Sequence, residues 1–427
     1  MQLHCTKPGR AASPHQHTSG TLVNYYSRTT TPLNTDRTSA TSPRTPRPRA
    51  TSCATSAALS KLPIALLLAC HAYPPLPAVT DASGDLALDG PADSYTPLPW
   101  SVTTIAGQAG VSGSSDALGT AALFNYPHGI AVDRAGDVYA ADSANCTIRK
   151  ISINGLVTTL AGSAGVSGST DGTGSMARFN QPFGVAIDKY DNIYVADFGN
   201  HVVRKLSLSG SVSTLAGTPG TPGSLDGPGA SARFTGPFGI AVDTNGVLYV
   251  SDQDTIRRIL PTGAVTTLAG APGMRGSDDG VGANARFQGP IGLAVDPSGI
   301  VYVSDQGNHT IRKITPNGTT NTVAGAAGIG GSADGLPSAA RFNGPWGIAS
   351  SADGRVYVSD ESNHTIRAIN SAGEVTTVAG APLVAGTSDG APSVARFRFP
   401  QGLAFDASGS LYIADTGNQT VRKLTYK

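Results

Sequence analysis

A chain of 427 residues with 30 Lys and Arg against 29 Asp and Glu carries a formal charge of only +1, and residues 97–427 hold 22 basic against 24 acidic side chains. A surface without a broad basic field is poorly suited to a phosphate backbone, so nucleic acid is not expected as a partner. The four cysteines, Cys5, Cys53, Cys70 and Cys146, imply no disulfide framework.

Residues 1–60 are rich in Ser, Thr and Pro, with seven Lys or Arg up to Arg49 and a single acid, Asp36. Such a segment buries too little apolar surface to offset its chain entropy and is expected to be disordered. Lys61 then precedes Leu62-Pro-Ile-Ala-Leu-Leu-Leu-Ala-Cys70, an apolar run too short to span a bilayer and similar to a secretory h-region. Its end, Leu67-Leu-Ala-Cys70, resembles a bacterial lipobox, with Leu68 a slightly unusual fit. The reading is an export or lipoprotein signal over 61–72, Cys70 as the lipidated residue, a translation start near Ala57 to Ser60, and a flexible tether over 73–96. The alternative is an accidental apolar stretch inside a disordered tail.

From there the sequence repeats itself six times. Asp142, Asp197, Asp252, Asp305, Asp360 and Asp415 each close a Tyr-x-x-Asp segment, at intervals of 55, 55, 53, 55 and 55 residues. Each copy holds four short β-type runs, in the second copy Gly184–Asp188, Ile193–Asp197, Val202–Leu206 and Ser211–Leu215. They are rich in β-branched residues and bounded by Gly, Asn, Asp and Pro. Separators such as Asn154-Gly155, Asn245-Gly246 and Asn317-Gly318 suit tight turns at positive φ. Six units of four antiparallel strands predict an all-β, six-bladed propeller. The ends of the array are out of step: Ser101–Ile105 matches a fourth strand, and Val421–Leu424 a third. Pairing the two closes the ring and leaves no long free edge.

The motif Pro-x-Gly-(Ile/Val)-Ala-(Val/Ile)-Asp, then Tyr-x-x-Asp, Gly-Asn-His and (Ile/Val)-Arg-Lys, resembles the NHL repeat. It is clearest at Asp197-Phe-Gly-Asn-His201 with Arg204 and at Asp305-Gln-Gly-Asn-His309 with Arg312. The loop from Gly-Ser-x-Asp-Gly to Ala-Arg-Phe is similar to the NHL propellers of bacterial surface proteins and of teneurins. The resemblance covers residues 97–427 and implies the propeller fold; such propellers host ligand binders and enzymes alike. The third copy departs with Gln253-Asp254 where others have Gly-Asn-His, the first has Cys146 for His, and the sixth Gln419.

The six Asp of Tyr-x-x-Asp, with Arg149, Arg204, Arg257, Arg312, Arg367 and Arg422, occur once per copy and read as a structural lattice. A second recurring pair, spaced by seven, is Asp171/Arg178, Asp226/Arg233, Asp279/Arg286, Asp334/Arg341 and Asp389/Arg396; the first copy keeps Asp116 but has Leu123 for the Arg. The expectation is a charge-assisted bond within the pair that pins the inter-blade loop. His201, His309 and His364 occupy one turn in different copies, so symmetry spreads them apart and no metal is assigned to them. Between the constant Pro and Gly of each innermost strand stands a variable residue: His128, Phe183, Phe238, Ile291, Trp346 and Gln401. These six are the candidate ligand-binding residues at one mouth of the central channel; the alternative is that each packs beneath its own loop.

The functional expectation is a non-enzymatic, monomeric, extracytoplasmic binding scaffold of a bacterial envelope, lipidated or secreted. It would engage a protein, peptide or glycan on the face bearing inter-blade loops of about 20 residues, need no cofactor, and meet the membrane only through its lipid anchor. The alternative is a metal-dependent hydrolase or lyase resembling gluconolactonase-like or amidating-lyase propellers.

Overall fold

The structure, a computed structural model, describes residues 100–426. The leader, the apolar run with Cys70 and the tether lie outside the described residues. Six antiparallel sheets follow one another as blades. Their innermost strands are Pro127–Val132, Pro182–Ile187, Pro237–Val242, Pro290–Val295, Pro345–Ser350 and Pro400–Phe405. Each packs on the innermost strands of the blades beside it, and the sixth packs on the first. The sixth sheet contains Thr420–Tyr426 as its third strand and Trp100–Ala106 as its outer strand, paired in register from Trp100 opposite Tyr426.

The cores lie between blades. One buried cluster joins Ala131, Tyr139 and Ile148 of the first blade to Val185, Val195 and Leu206 of the second, with Phe179 of the connecting loop among them. Alternation along each strand sends one face to each neighbour, so every blade is buried on both sides.

The innermost strand of the second blade begins at Pro182, two residues before the run expected from sequence. Pro182 pairs with Asp197 and the ladder resumes only at Val185 opposite Val195. Phe183 and Gly184 bulge out of it, as do their equivalents in the other blades, which re-aims the variable side chain. The constant glycine at the bulge lets the next blade come close. A Cβ on Gly184 would lie 2.5 Å from the carbonyl oxygen of Phe238, and one on Gly347 would overlap that of Gln401.

Each outer strand leads into a loop tied to both blades it joins. In the loop before the first blade, the Gly110 amide donates to the Asn418 carbonyl of the sixth blade. The carbonyl of Gly113 accepts from Asn145 of the first at 2.7 Å. These loops and the Asp-x-x-Asn turns between second and third strands share one face of the propeller.

Candidate functional site

The six Arg and six Asp form one buried constellation per blade. Arg204 is fully buried and bonds Asp197 at 2.8 Å and Asp171 at 2.6 Å; its guanidinium stands 5.3 Å from the ring centre of Phe179. The aspartate and arginine spaced by seven are not partners, contrary to the expectation from their spacing. Asp171 reaches the lattice arginine, 33 residues on, and also accepts from the Thr214 amide at 3.1 Å. Arg178 instead donates to the carbonyls of Ser175 and Ala177. A fully buried guanidinium presents five donors and one carboxylate cannot satisfy them, so the loop aspartate fills the second place.

The turn histidines stand on three different blades, each in the left-handed region with φ of 61° at His201, 58° at His309 and 60° at His364. Nδ1 of His309 accepts from the Gly344 amide at 3.1 Å, and that of His364 from the Phe399 amide at 3.2 Å. Gln419 does the same for Tyr126 at 2.6 Å. These side chains latch one blade to the next, which explains why Gln can replace His there.

The variable side chains do come together at the channel mouth. Ring centres of His128 and Phe183 are 4.6 Å apart, as are those of Phe183 and Phe238; Trp346 stands 6.2 Å from Phe238 and 6.1 Å from His128. Rings from blades one, two, three and five thus meet across the axis and floor the mouth. Ile291 and Gln401 complete the circle, and Phe238 and Trp346 keep part of their surface exposed. Under this floor the channel is lined by glycine and aliphatic residues of the innermost strands.

A second ring lies just outside, made by the residue after each Tyr-x-x-Asp: Ser143, Phe198, Gln253, Gln306, Glu361 and Thr416. Phe198 packs on Phe183 at 5.2 Å and on Phe238 at 4.6 Å. Thr416 donates to the Pro127 carbonyl at 2.6 Å, and Ser143 to that of Pro182. Glu361 Oε1 accepts from Gln401 Nε2 at 2.7 Å, and Gln401 Oε1 meets His128 Nδ1. Gln401 spends its N–H on the carboxylate, so His128 Nδ1 carries the proton of the second bond and Nε2 is left as an acceptor. Burial holds His128 neutral, its pKa down at about 4, against the pull of the Gln401 bond. Burial pushes the Glu361 carboxyl up to about 7, helped by the Asp360 charge and opposed by the Gln401 bond. Neither Phe198 nor Glu361 was singled out from the sequence; the available signal was that their position varies inside an otherwise repeated turn.

Among the described residues, no three His, Cys, Asp or Glu side chains are grouped to hold a metal ion. The mouth offers one carboxylate and one imidazole, joined through an amide.

The NHL repeat model matches residues 124–151, 179–206, 287–314, 342–369 and 397–424. This chain is an NHL-repeat propeller. The one unmatched copy is the third, where the turn at Gln253-Asp254 is two residues short. Among curated proteins, the NHL propeller is 31% identical over 302 residues to NHL repeat-containing protein 2 of Gallus gallus, covering 61% of this chain and 41% of that one. It is 33% identical over 227 residues to Teneurin-3 of Danio rerio, covering 46% of this chain and 8% of that one. The chain thus spans less than half the length of either relative. Among solved structures, an auxiliary nutrient binding protein from Bacteroides thetaiotaomicron superposes with a TM-score of 0.59 at 18% identity, covering 77% of this chain and 76% of that one; this likeness is one of fold.

Proposed function

We propose that this NHL propeller is a non-enzymatic binding scaffold, working outside the cytoplasm, that takes a protein, peptide or glycan on its loop-bearing face. One observation carries the reading: an aromatic floor at the channel mouth is surrounded by loop tips that each expose a side chain, apolar in five of six. Val111, Val166, Met274, Ile329 and Val384 occupy equivalent tips and are 38% to 55% exposed. Thr221 takes the sixth place. Repeated exposed apolar groups on a rigid scaffold suit contact with a partner. The description of the Bacteroides neighbour as nutrient binding agrees with such a role for this scaffold. Export rests on the signal reading of 61–72 and anchoring on Cys70.

The test is capture of partners by the full chain, followed by Trp346→Ala and Phe183→Ala. Each should weaken binding by roughly 1–3 kcal/mol, as truncating a buried aromatic contact does, with an unchanged melting curve as control. Equal affinities for all three proteins would move the site elsewhere. Elemental analysis separates the alternative, because one metal ion per chain would favour the hydrolase or lyase reading.

A further inference from the structure

We propose that the channel mouth receives an organic cation, an ammonium or guanidinium group on an apolar stem, with its charge on Glu361 and its stem over the rings of Trp346 and Phe238. The inference rests on the binding role proposed for this face and names the ligand chemistry.

Glu361 is the only charged residue of the six that follow Tyr-x-x-Asp. Of its two carboxylate oxygens, Oε1 is bonded to Gln401 at 2.7 Å. Oε2 lies by Gly344, 3.8 Å from where a Cβ on that glycine would stand, in a space it shares with Gln306 Nε2 and Ser362 Oγ. Each of the six buried aspartates that close Tyr-x-x-Asp, Asp142 through Asp415, has its own arginine within 3.0 Å. Among the described residues no Lys, Arg or His pairs with Glu361; its electrostatic neighbours are Gln401 and the like-charged Asp360. A partly buried carboxylate that lacks a cation in an otherwise fully paired array is a place for a cation supplied from outside.

The surroundings select its kind. Glu361 projects from the fifth blade to Gln401 of the sixth, as Phe198 projects from the second to Phe238 of the third. It therefore stands between Trp346 and Gln401 at the rim of the aromatic floor. Trp is the best of the side chains at binding a cation over its face, and Trp346 keeps exposed surface there. A bare metal ion would find one carboxylate, too few oxygens for a hard cation. An anion would meet the carboxylate directly. An alkyl stem ending in N–H donors fits both parts, and the bonding chain that leaves His128 Nε2 without a proton supplies another acceptor in the same floor.

Binding should also move a proton. The empty carboxyl is half-protonated near neutrality and a bound cation would hold it ionised, so cation binding at pH 6 releases a proton. The titratable groups around it are Asp360, which is paired with Arg367 at 2.8 Å, His364 beside the Glu361 backbone, His128 through Gln401, and His309 on the far side of Gly344.

The experiment is calorimetric titration of the full chain with the Nα-acetyl methylamides of lysine, arginine and norleucine, at pH 6 in two buffers of different ionisation enthalpy. Lysine or arginine, or both, should bind with proton release, and norleucine at least tenfold more weakly. Glu361→Gln keeps an acceptor for Gln401, so the fold should hold, while cation affinity falls at least tenfold, the proton release disappears and norleucine binding is unchanged. Norleucine binding as tightly as the cations, no cation binding, or cation binding untouched by Glu361→Gln would each overturn the assignment. A captured partner that depends on Trp346 but not on Glu361 would keep the binding face and remove the cation; loss of both results would remove both.

Discussion

Glu361 and His128 titrate in opposite senses across one bonded chain, and removing one exposes the other. The folded pKa of Glu361, about 7, lies above its ordinary 4.5, so the folded state holds the extra proton and gains stability as pH falls from 7 to 4.5. The folded pKa of His128, about 4, lies below its ordinary 6.5, so the unfolded state holds the extra proton and stability is lost as pH falls from 6.5 to 4. Each difference corresponds to about 3 kcal/mol at 1.36 kcal/mol per unit, with opposite sign. In the wild type the two nearly cancel. Glu361→Gln removes the stabilising half, so on going from pH 7 to 4.5 the variant should lose about 3 kcal/mol more than the wild type. Urea denaturation at pH steps from 4.5 to 7.5 measures the difference directly. Parallel curves for the two proteins would refute the opposed titrations and with them the buried state of the Glu361–Gln401–His128 chain.

Gly347→Ala drives a methyl group into the Gln401 carbonyl of the next blade and should cost about 3 kcal/mol, as overpacking does at its upper range; an unchanged urea midpoint would contradict the close approach. Arg204→Met strands the fully buried Asp197 and should cost about 3–5 kcal/mol, read as a lower urea midpoint. His309→Ala removes one inter-blade latch and should lower stability by about 1 kcal/mol while leaving partner affinity unchanged in a pull-down titration.

The repeat made the architecture readable because a propeller blade is local: four strands joined by short turns lie within one period of the sequence. Tyr194 and Asp197 could be placed from their spacing alone. Contacts that cross from one period to the next were harder. Asp171 looked paired with Arg178 seven residues away, yet its partner is Arg204, because the loop runs back along the blade that follows it. Phe179 appeared only as part of an Ala-Arg-Phe motif, although it stacks beneath that same arginine. At the mouth, the bracketing Pro and Gly identified His128, Phe183, Phe238, Ile291, Trp346 and Gln401 as equivalent positions. How tightly they meet depends on the radius of the ring, which the bulge and its glycine set and no single copy records. Glu361 was overlooked because a one-copy change inside a turn resembles loop variation until its neighbour, Gln401 from another blade, is in place.

Hydrogen exchange on the full chain, with and without a captured partner, tests most directly whether the loop-bearing face is the binding face. Bound partner should slow exchange at the mouth and loops, in segments 108–113, 183–185, 198–201, 344–348 and 361–364, and leave the opposite-face turns at 133–137, 188–192 and 296–300 unchanged. Protection confined to those opposite-face turns, with the mouth exchanging as it does in the free protein, would contradict the account.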